Sequence, residues 1–170
     1  RANSLVADNR SLAGVFHLNV EDQPVVAGNE YRITFTTEES VQGYQFTLNH
    51  EGLELMDIEY GVAKAENFGV VEEGVLTTSW NVASKSGDFD DRAATLFTLV
   101  VRANVDGQLS ELLKVNSRYT TAEAYNPADE LMDVALTFSG QTVTDGFELY
   151  QNVPNPFTGV TRIGFRLPEA

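Results

Sequence analysis

Apolar and polar residues alternate along most of the chain. In the segment YRITF at residues 31–35 the odd positions are apolar, and in YQFTL at residues 44–48 the even positions are apolar. The segments at residues 95–103 and 131–138 repeat the same pattern. Because successive side chains of a strand point to opposite faces, this period of two predicts strands that each bury one face.

Turn-forming residues interrupt the alternating segments at short intervals. They are the glycine-containing groups AGN at residues 27–29, EG at 51–52, EG at 73–74, SGD at 86–88, DG at 106–107 and SG at 139–140. Many short strands at near-regular spacing, without a long stretch of helical periodicity, are typical of an antiparallel β-sandwich. The sequence therefore predicts an all-β domain built from two packed layers.

Two places depart from the regular alternation. Leu53 and Leu55 share one parity, whereas Met56 begins an apolar series on the other parity. Since a slip of one residue turns every later side chain to the other face, we expect a β-bulge near residues 55–56; a strand covered on both faces is the alternative. The segment LSELLK at residues 109–114 is compatible with one helical turn, although its pattern favours the start of a strand.

Weak patterning at both ends of the alternating region sets the expected boundaries of the domain. Residues 1–13 are mixed in character and are predicted to be a tether, leading to a first strand at residues 15–20. The sandwich is expected to span residues 14–138. Polar residues and glycines at positions 139–146 predict a linker, and residues 147–170 form a separate tail.

The chain is strongly acidic, and this charge narrows the classes of partner. Its 170 residues include 25 Asp and Glu against 11 Lys and Arg, which gives a net charge of −14. Nucleic acids and anionic membrane surfaces bind through clustered basic residues, so neither is expected as a partner. Solubility is the simplest reason for an acidic surface; a high-salt habitat and divalent cations are the alternatives.

The amino-acid composition also bears on the cellular compartment in which the protein works. The chain has no cysteine, which removes disulfides, thiolate metal sites and thiol nucleophiles. Both a cytosolic protein and an exported bacterial protein stabilised by sheet packing are compatible with that absence. No apolar run reaches the roughly 18 residues of a membrane span. With Arg1 at its start, we expect the chain to be a piece of a longer protein, without its signal peptide.

Residues suited to catalysis are few. His17 and His50 are the only histidines, and neither lies near a nucleophile motif. By alternation His17 is expected to face solvent, and His50 to end the apolar face of residues 44–48. Adjacent carboxylates such as those at residues 72–73 point to opposite faces of a strand, whereas glycoside hydrolysis needs two carboxylates that converge. The sequence therefore predicts that the domain is not an enzyme.

The loop SKSGDFDD at residues 84–91 is the strongest candidate for a metal site. Asp88, Asp90 and Asp91 could supply hard oxygen ligands to calcium, and Gly87 allows a sharp turn. The loop lacks the EF-hand pattern, because no glutamate stands at its closing position. A solvated acidic loop without a metal is the simpler alternative. No cofactor other than calcium is expected.

Aromatic side chains are the candidates for ligand binding by stacking. Trp80, the single tryptophan, shares the parity of Leu76 and Val82, which favours a core position over an exposed platform. The binding candidates are Trp80, Tyr60 and Tyr119. A row of exposed aromatic rings on one sheet face would indicate a polysaccharide site.

The middle of the chain contains an ordered series of short motifs. They are VAGNEYRITF at residues 26–35, VQGYQFTL at 41–48, LEL at 53–55, NF at 67–68, GVL at 74–76 and ATLF at 94–97. In this order they resemble the cohesin-like family of β-sandwiches, whose fold is shared by some carbohydrate-binding modules. The resemblance implies a jelly-roll sandwich of about nine strands. Some members of the family bind dockerin domains, but no partner-binding motif can be transferred residue by residue to this sequence.

The tail contains the most specific motif of the chain. It reads LYQNVPNPF at residues 149–157 and TRIGFRLPE at residues 161–169. These segments resemble the start of the type A C-terminal sorting domain of the Bacteroidota type IX secretion system. The residues that match are Gln151, Asn152, Pro154, Asn155, Pro156, Phe157, Ile163, Phe165, Leu167 and Pro168. The prolines favour extended backbone, and the alternation that follows predicts an extended C-terminal strand segment.

The resemblance implies how the protein is exported. Residues 147–170 correspond to a truncated N-terminal part of a sorting domain. We therefore expect a secreted or outer-cell-surface protein whose partners include the type IX secretion machinery. The predicted function is a non-catalytic structural or adhesive module. The alternative is a module that binds a polysaccharide or a dockerin-like protein partner and is attached to a secreted hydrolase.

Overall fold

The structure, a computed structural model, describes residues 12–82, 94–140, 148–149 and 165–166. The chain separates into two compact units, Arg1–Gly140 and Gln141–Ala170. Most of the expected tether and linker lies outside the described residues, so the domain boundaries stay predictions. No helix in the described part of the chain is long and apolar enough to cross a membrane.

Strands form most of the first unit. In chain order they are β1 (Val15–Glu21), β2 (Pro24–Val25), β3 (Glu30–Thr37), β4 (Gly43–His50), β5 (Leu53–Tyr60), β6 (Phe68–Glu72), β7 (Val75–Asn81), β8 (Ala94–Ala103), β9 (Gly107–Gln108), β10 (Leu113–Asn116), β11 (Glu123–Tyr125) and β12 (Leu131–Ser139). A 3₁₀ turn at Ala65–Asn67 precedes β6, and one helical turn, α1, spans Leu109–Leu112. The segment at residues 109–114 therefore contains both elements that its pattern allowed.

Ten of the described strands form one continuous sheet. Their order is β5–β8–β3–β1–β12–β11–β4–β7–β6, and β10 also pairs with β4. The start of β12 pairs with β11 and the remainder runs parallel to β1, so β12 belongs to both halves of the sheet. We call β5, β8, β3, β1 and β12 the back sheet, and β10, β11, β4, β7 and β6 the front sheet.

The two halves of the sheet face each other across the core. Phe16 of the back sheet stacks on Tyr44 of the front sheet at a ring distance of 5.5 Å, and Phe68 meets Phe97 edge-on at 5.1 Å. The largest fully buried side chains are Phe16, Phe35, Phe46, Phe97, Leu18, Ile33, Leu48, Leu76, Leu96, Leu99, Leu109 and Leu113. The predicted all-β jelly-roll sandwich is confirmed.

The strand count differs from the expected nine for a local reason. β10 and β11 lie end to end along one edge of β4, and β7 pairs along the other edge. Residues 117–122 separate β10 from β11, so one continuous neighbour of β4 is replaced by two short strands. A separate two-stranded ribbon joins β2 to β9.

The expected bulge lies in β5. Its pairing with β8 slips between Leu55 and Asp57, so Met56 has no opposite residue and is 44% exposed. After the slip Ile58 takes up the inward position and packs against the core. The change of parity in the sequence therefore marks a real irregularity of the strand.

The second unit contains one described strand pair. The strand β13 (Glu148–Leu149) pairs antiparallel with β14 (Phe165–Arg166), and Leu149 lies opposite Phe165. The remaining residues of the sorting motif lie outside the described part of the chain. Their role stays a prediction.

Candidate functional site

The outer face of the front sheet is lined mainly by uncharged polar side chains. We call it the polar face; it includes Gln45, Thr47 and Asn49 of β4, Thr77 and Ser79 of β7, Asn116 of β10 and Glu123 of β11, and the same registers place Lys114 of β10 and Val75 of β7 beside Asn49. The residues between them on β4, Tyr44, Phe46 and Leu48, point the other way and are buried. The alternation that builds the core therefore also collects amides and hydroxyls on the opposite surface.

Hydrogen bonds between neighbouring strands hold several of these side chains in place. The Gln45 Nε2 donates to Glu123 Oε1 at 3.0 Å, and the Asn116 Nδ2 donates to Asn49 Oδ1 at 3.0 Å. The Thr77 hydroxyl donates to the carbonyl of Gly69 at 3.2 Å. Side chains that are already ordered lose less conformational entropy when a partner binds.

Thr47 anchors a loop beside this face. Its hydroxyl oxygen accepts hydrogen bonds from the backbone N–H groups of Tyr119 and Thr120, at 3.2 and 2.9 Å. The same hydroxyl donates to the carbonyl of Thr120 at 3.2 Å. Thr47 is fully buried beneath these contacts. One side chain at the centre of β4 thus positions the loop that follows β10.

The anchored loop presents an aromatic residue and a cation, which with Glu72 form the Tyr119 cluster. Tyr119 is 45% exposed, and its hydroxyl donates to Glu72 Oε1 at 2.9 Å. Arg118 pairs with the same carboxylate at 3.1 Å, and its guanidinium lies 5.0 Å from the centre of the Tyr119 ring. The hydrogen bond to Glu72 raises the pKa of the Tyr119 phenol above its ordinary value, and Arg118 opposes part of that rise.

The outer face of the back sheet has a different chemistry. Arg102 of β8 lies between Glu30 of β3 and Glu54 of β5, with N–O distances of 3.0 and 3.8 Å. Arg32 forms a two-pronged pair with Glu59. Charged groups are depleted at the centres of protein interfaces, because their hydration must be removed on binding. The polar face is therefore the better candidate for a binding surface.

The structure places the aromatic candidates in separate parts of the sandwich. Trp80 of β7 is half-buried, stacks on Tyr44 at 5.6 Å and packs against the core. Tyr60 ends β5 and is 52% exposed, and the centre of its ring lies 6.2 Å from the centre of the Phe68 ring. Tyr119 lies in the loop beside the polar face. The structure leaves their role as binding residues a prediction.

Both histidines make structural contacts. His50 is buried at the end of β4, and its Nδ1 donates to the carbonyl of Leu53 at 2.8 Å across the turn to β5. His17 lies on the outer side of β1, as its parity predicts, and is half-buried. Its Nδ1 is hydrogen-bonded to the Thr137 hydroxyl at 3.1 Å. The two rings lie on different sheets.

The metal prediction lies outside the described residues. Asp88, Asp90 and Asp91 all fall in the segment between β7 and β8 that is not described. Among the residues that are described, no group of three or more His, Asp or Glu side chains is arranged to hold a metal ion. Calcium binding by the acidic loop therefore stays a prediction.

The residues of the polar face were not among the sequence-based candidates. Their signal was nevertheless present in the segment YQFTLNH at residues 44–50, where the polar parity consists of amides and a hydroxyl instead of charged residues. Strand pairing was needed to show that β7, β10 and β11 contribute similar side chains alongside them.

Comparisons with known proteins support the architecture. No family model and no curated protein sequence matches the chain. Among solved structures, a chain of the cohesin–dockerin complex Coh-OlpC–Doc435 from Clostridium thermocellum has a TM-score of 0.58 at 10% identity, covering 78% of this chain and 98% of that chain. The sixth cohesin of scaffoldin B from Acetivibrio cellulolyticus, in complex with a Cel5 dockerin, has a TM-score of 0.56 at 12% identity, covering 74% and 96%.

A third structure gives the same result. The seventh ScaB type I cohesin from Pseudobacteroides cellulosolvens has a TM-score of 0.52 at 16% identity, covering 75% of this chain and 90% of that chain. The similarity extends over nearly the whole length of each cohesin, whereas the sequence identity is only 10–16%. The chain adopts the cohesin fold.

Proposed function

We propose that this chain is a non-catalytic module that binds a protein partner through the polar face of its front sheet. The observation that supports the proposal is the ordered set of amides and hydroxyls beside the Tyr119 cluster. Amides and hydroxyls both donate and accept hydrogen bonds, so they can pair with backbone or side-chain groups of a partner. Tyrosine and arginine at the margin of such a surface are typical anchors of protein interfaces.

The fold neighbours favour a dockerin-like protein as the partner. Two of the similar cohesins are found in complexes with dockerins. At 10% and 12% identity, no individual contact can be transferred to this chain. The proposal therefore rests on the polar face itself, and the comparisons indicate only which class of partner to try first.

Paired arginine substitutions on the two outer faces test the proposal. A panel of purified dockerin domains is screened by biolayer interferometry against the full chain. For any dockerin that binds, Ser79→Arg on the polar face should weaken binding at least about tenfold, because a long charged side chain blocks the surface. The matched variant Thr34→Arg, on the exposed outer side of β3, should leave binding unchanged. Equal effects of the two variants, or no binding by any dockerin, would contradict the proposal.

We also propose that the module belongs to a secreted or cell-surface protein of the Bacteroidota that carries a type IX sorting signal. The motif at residues 149–157 and the alternating segment at residues 161–167 support this assignment. An accessible polar linker at residues 139–146 is a suitable place for removal of the signal. Mass spectrometry of the protein recovered from the cell surface should then find its C-terminus within the linker. Recovery of peptides that contain Phe147 and later residues would contradict this arrangement.

Two further roles stay as alternatives with their own tests. A structural or adhesive role without a specific partner predicts that none of the dockerins binds. Polysaccharide binding predicts glycan-array signals that disappear in Tyr119→Ala or Tyr60→Ala, the two exposed aromatic candidates. Calcium binding predicts a rise in melting temperature with calcium that is lost in Asp88→Ala.

A further inference from the structure

The two amide side chains on the outer side of β4 are held in opposite orientations. The backbone N–H of Arg118 donates to Asn116 Oδ1 at 2.9 Å, which fixes the direction of the Asn116 amide. Asn116 therefore presents its Nδ2 to Asn49, whose Oδ1 accepts the hydrogen bond at 3.0 Å. The carbonyl oxygen of the Asn49 side chain is used in this way, and its donor group, Nδ2, remains.

A carboxylate sets the opposite orientation near the start of β4. An ionised Glu123 can only accept a hydrogen bond, so Gln45 turns its Nε2 towards Glu123 Oε1, at 3.0 Å. The acceptor of the Gln45 amide, Oε1, then remains beside the second oxygen of Glu123. Because Asn49 is four residues further along the strand, the remaining donor and the remaining acceptor are about 13–14 Å apart.

Both remaining groups can be reached from outside. In the part of the chain that the structure describes, Asn49 Nδ2 and Gln45 Oε1 have no hydrogen-bond partner, and neither is a buried unsatisfied atom. Between them Thr47 is fully buried beneath the loop that follows β10. Of the three outward side chains, a partner can therefore contact the two amides but not the threonine.

Each amide lies beside a charged residue of the same hydrogen-bonding character. Lys114, which can only donate, is opposite Asn49 on β10; it is exposed and has no ion pair among the described residues. Glu123 is opposite Gln45 on β11, and no cation pairs with it within the same residues. We call Asn49 with Lys114 the donor end of the polar face, and Gln45 with Glu123 the acceptor end.

The surroundings of each end indicate which group of a partner fits it. At the acceptor end two neighbouring oxygens, one of them charged, suit the planar guanidinium of arginine, which donates two parallel hydrogen bonds. At the donor end Glu51 and Glu111 line a recess of about 160 Å³ together with Asn49 and Lys114. Because these two carboxylates would repel a further carboxylate, an uncharged carbonyl oxygen is the better acceptor for this end.

We propose that the polar face is directional and admits a protein partner in one orientation only. An arginine of the partner binds the acceptor end, and a carbonyl oxygen about 13–14 Å away accepts hydrogen bonds from the donor end. A partner turned end for end would place its arginine beside Lys114 and its carbonyl oxygen against Glu123, and both contacts would be unfavourable. The direction belongs to the face proposed above to bind a protein, and so rests on that function.

A probe with donors only tests the acceptor end without a partner. Methylguanidinium chloride has N–H groups and no acceptor, and sodium chloride serves as the reference for ionic strength. In NMR titrations of the full chain, methylguanidinium should shift the resonances of the Gln45 and Glu123 side chains more than those of Asn49. Glu123→Gln should weaken this binding at least about tenfold, whereas Glu66→Gln, the same change at an exposed position outside the face, should not. An unchanged affinity in Glu123→Gln would overturn the proposal.

A probe with an acceptor only tests the donor end. N,N-dimethylacetamide has a carbonyl oxygen and no N–H group, and it should shift the Nδ2 resonances of Asn49 more than the side-chain resonances of Gln45. Lys114→Met removes one of the two donors and should weaken this binding about threefold. Lys64→Met, at an exposed position outside the face, should have no effect. Equal shifts at both ends, or none at Asn49, would overturn the proposal.

A dockerin that binds in the screen allows the same comparison with a protein partner. Asn49→Asp keeps an oxygen for its bond to β10 but has no N–H group, and Glu123→Gln keeps an oxygen for its bond to β4 but has no charge. Each should weaken binding about tenfold. Asn29→Asp and Glu66→Gln make the same changes at exposed positions outside the face and should leave the affinity unchanged.

The outcomes separate the direction of the face from the function proposed for it. If Ser79→Arg blocks a dockerin that Asn49→Asp and Glu123→Gln still bind at full affinity, the face binds a partner but is not directional. If no dockerin binds while each probe binds its own end, the dockerin-like partner is wrong and the directional face stands.

Discussion

The two outer faces of the sandwich have the same alternation but differ in surface chemistry. On the back sheet the outward positions of β3, β8 and β5 carry glutamates and arginines that pair across the strands, with side chains 39–64% exposed, beside the hydroxyl pair of Thr34 and Thr98. On the front sheet the outward positions carry mainly amides and hydroxyls, one of which is fully buried beneath a loop. The inner sides of both sheets contribute to one apolar core.

This difference shows that the alternation of apolar and polar residues determines the fold but does not determine the function of the outer surface. Exposed ion pairs contribute little to stability and remain well hydrated, so the back sheet resists association. Neutral polar groups that bond to one another are ordered and less costly to dehydrate. The front sheet can therefore receive a partner at a lower cost than the back sheet.

The largest expected difference concerns the two threonines at the centres of the faces. Thr47→Val removes the acceptor for the N–H groups of Tyr119 and Thr120, and we expect a loss of about 2–3 kcal/mol in the free energy of unfolding. Thr34 is exposed, and its hydroxyl bonds to the hydroxyl of Thr98, which is 6% exposed, so Thr34→Val removes one hydrogen bond and should cost about 1 kcal/mol. Urea denaturation measures both. Equal losses would show that the loop is not anchored as described.

The second expectation concerns salt. Arg102→Met removes two exposed ion pairs, and its effect of about 0.5 kcal/mol at low ionic strength should disappear in about 1 M salt. On the front sheet Asn49→Ala breaks a neutral hydrogen bond to Asn116, and its effect of about 0.5–1 kcal/mol should be the same at both salt concentrations. Denaturation curves at the two ionic strengths check the contrast. A salt-dependent Asn49→Ala effect would remove the distinction between the faces.

The smallest effect is a titration at the edge of the polar face. The bond to Glu72 stabilises the neutral phenol of Tyr119 and raises its pKa, so Glu72→Gln should lower that pKa towards its ordinary value of about 10. The stabilising contribution is present below that value and is lost as the pH rises through the raised pKa of the folded state. NMR of the ¹³C-labelled tyrosine rings follows the titration. An unchanged pKa in Glu72→Gln would show that the hydrogen bond is not formed in solution.

The sequence predicted the fold better than it predicted the site. The bulge in β5 followed from the change of parity at Met56, and the inward parity of Trp80 agrees with its contact with Tyr44. The role of Thr47 was not predictable, because its hydroxyl bonds to a loop 72 and 73 residues further along the chain. Long-range pairs of this kind depend on strand register, which one strand's own pattern does not contain.

The sequence by itself determined the class of the fold, since alternation and turn residues act locally and leave a two-layer sandwich as the way to bury one face of every strand. It also determined the acidity of the domain and the motif of the tail. Only the tertiary structure decided which polar residues share a surface and how residues 117–121 are held. It alone brought the turn that precedes β5, with His50 and Glu51, beside Glu72 and Glu73 at the end of β6. These arrangements join residues that are distant in the chain, so they exist only once the strands have paired.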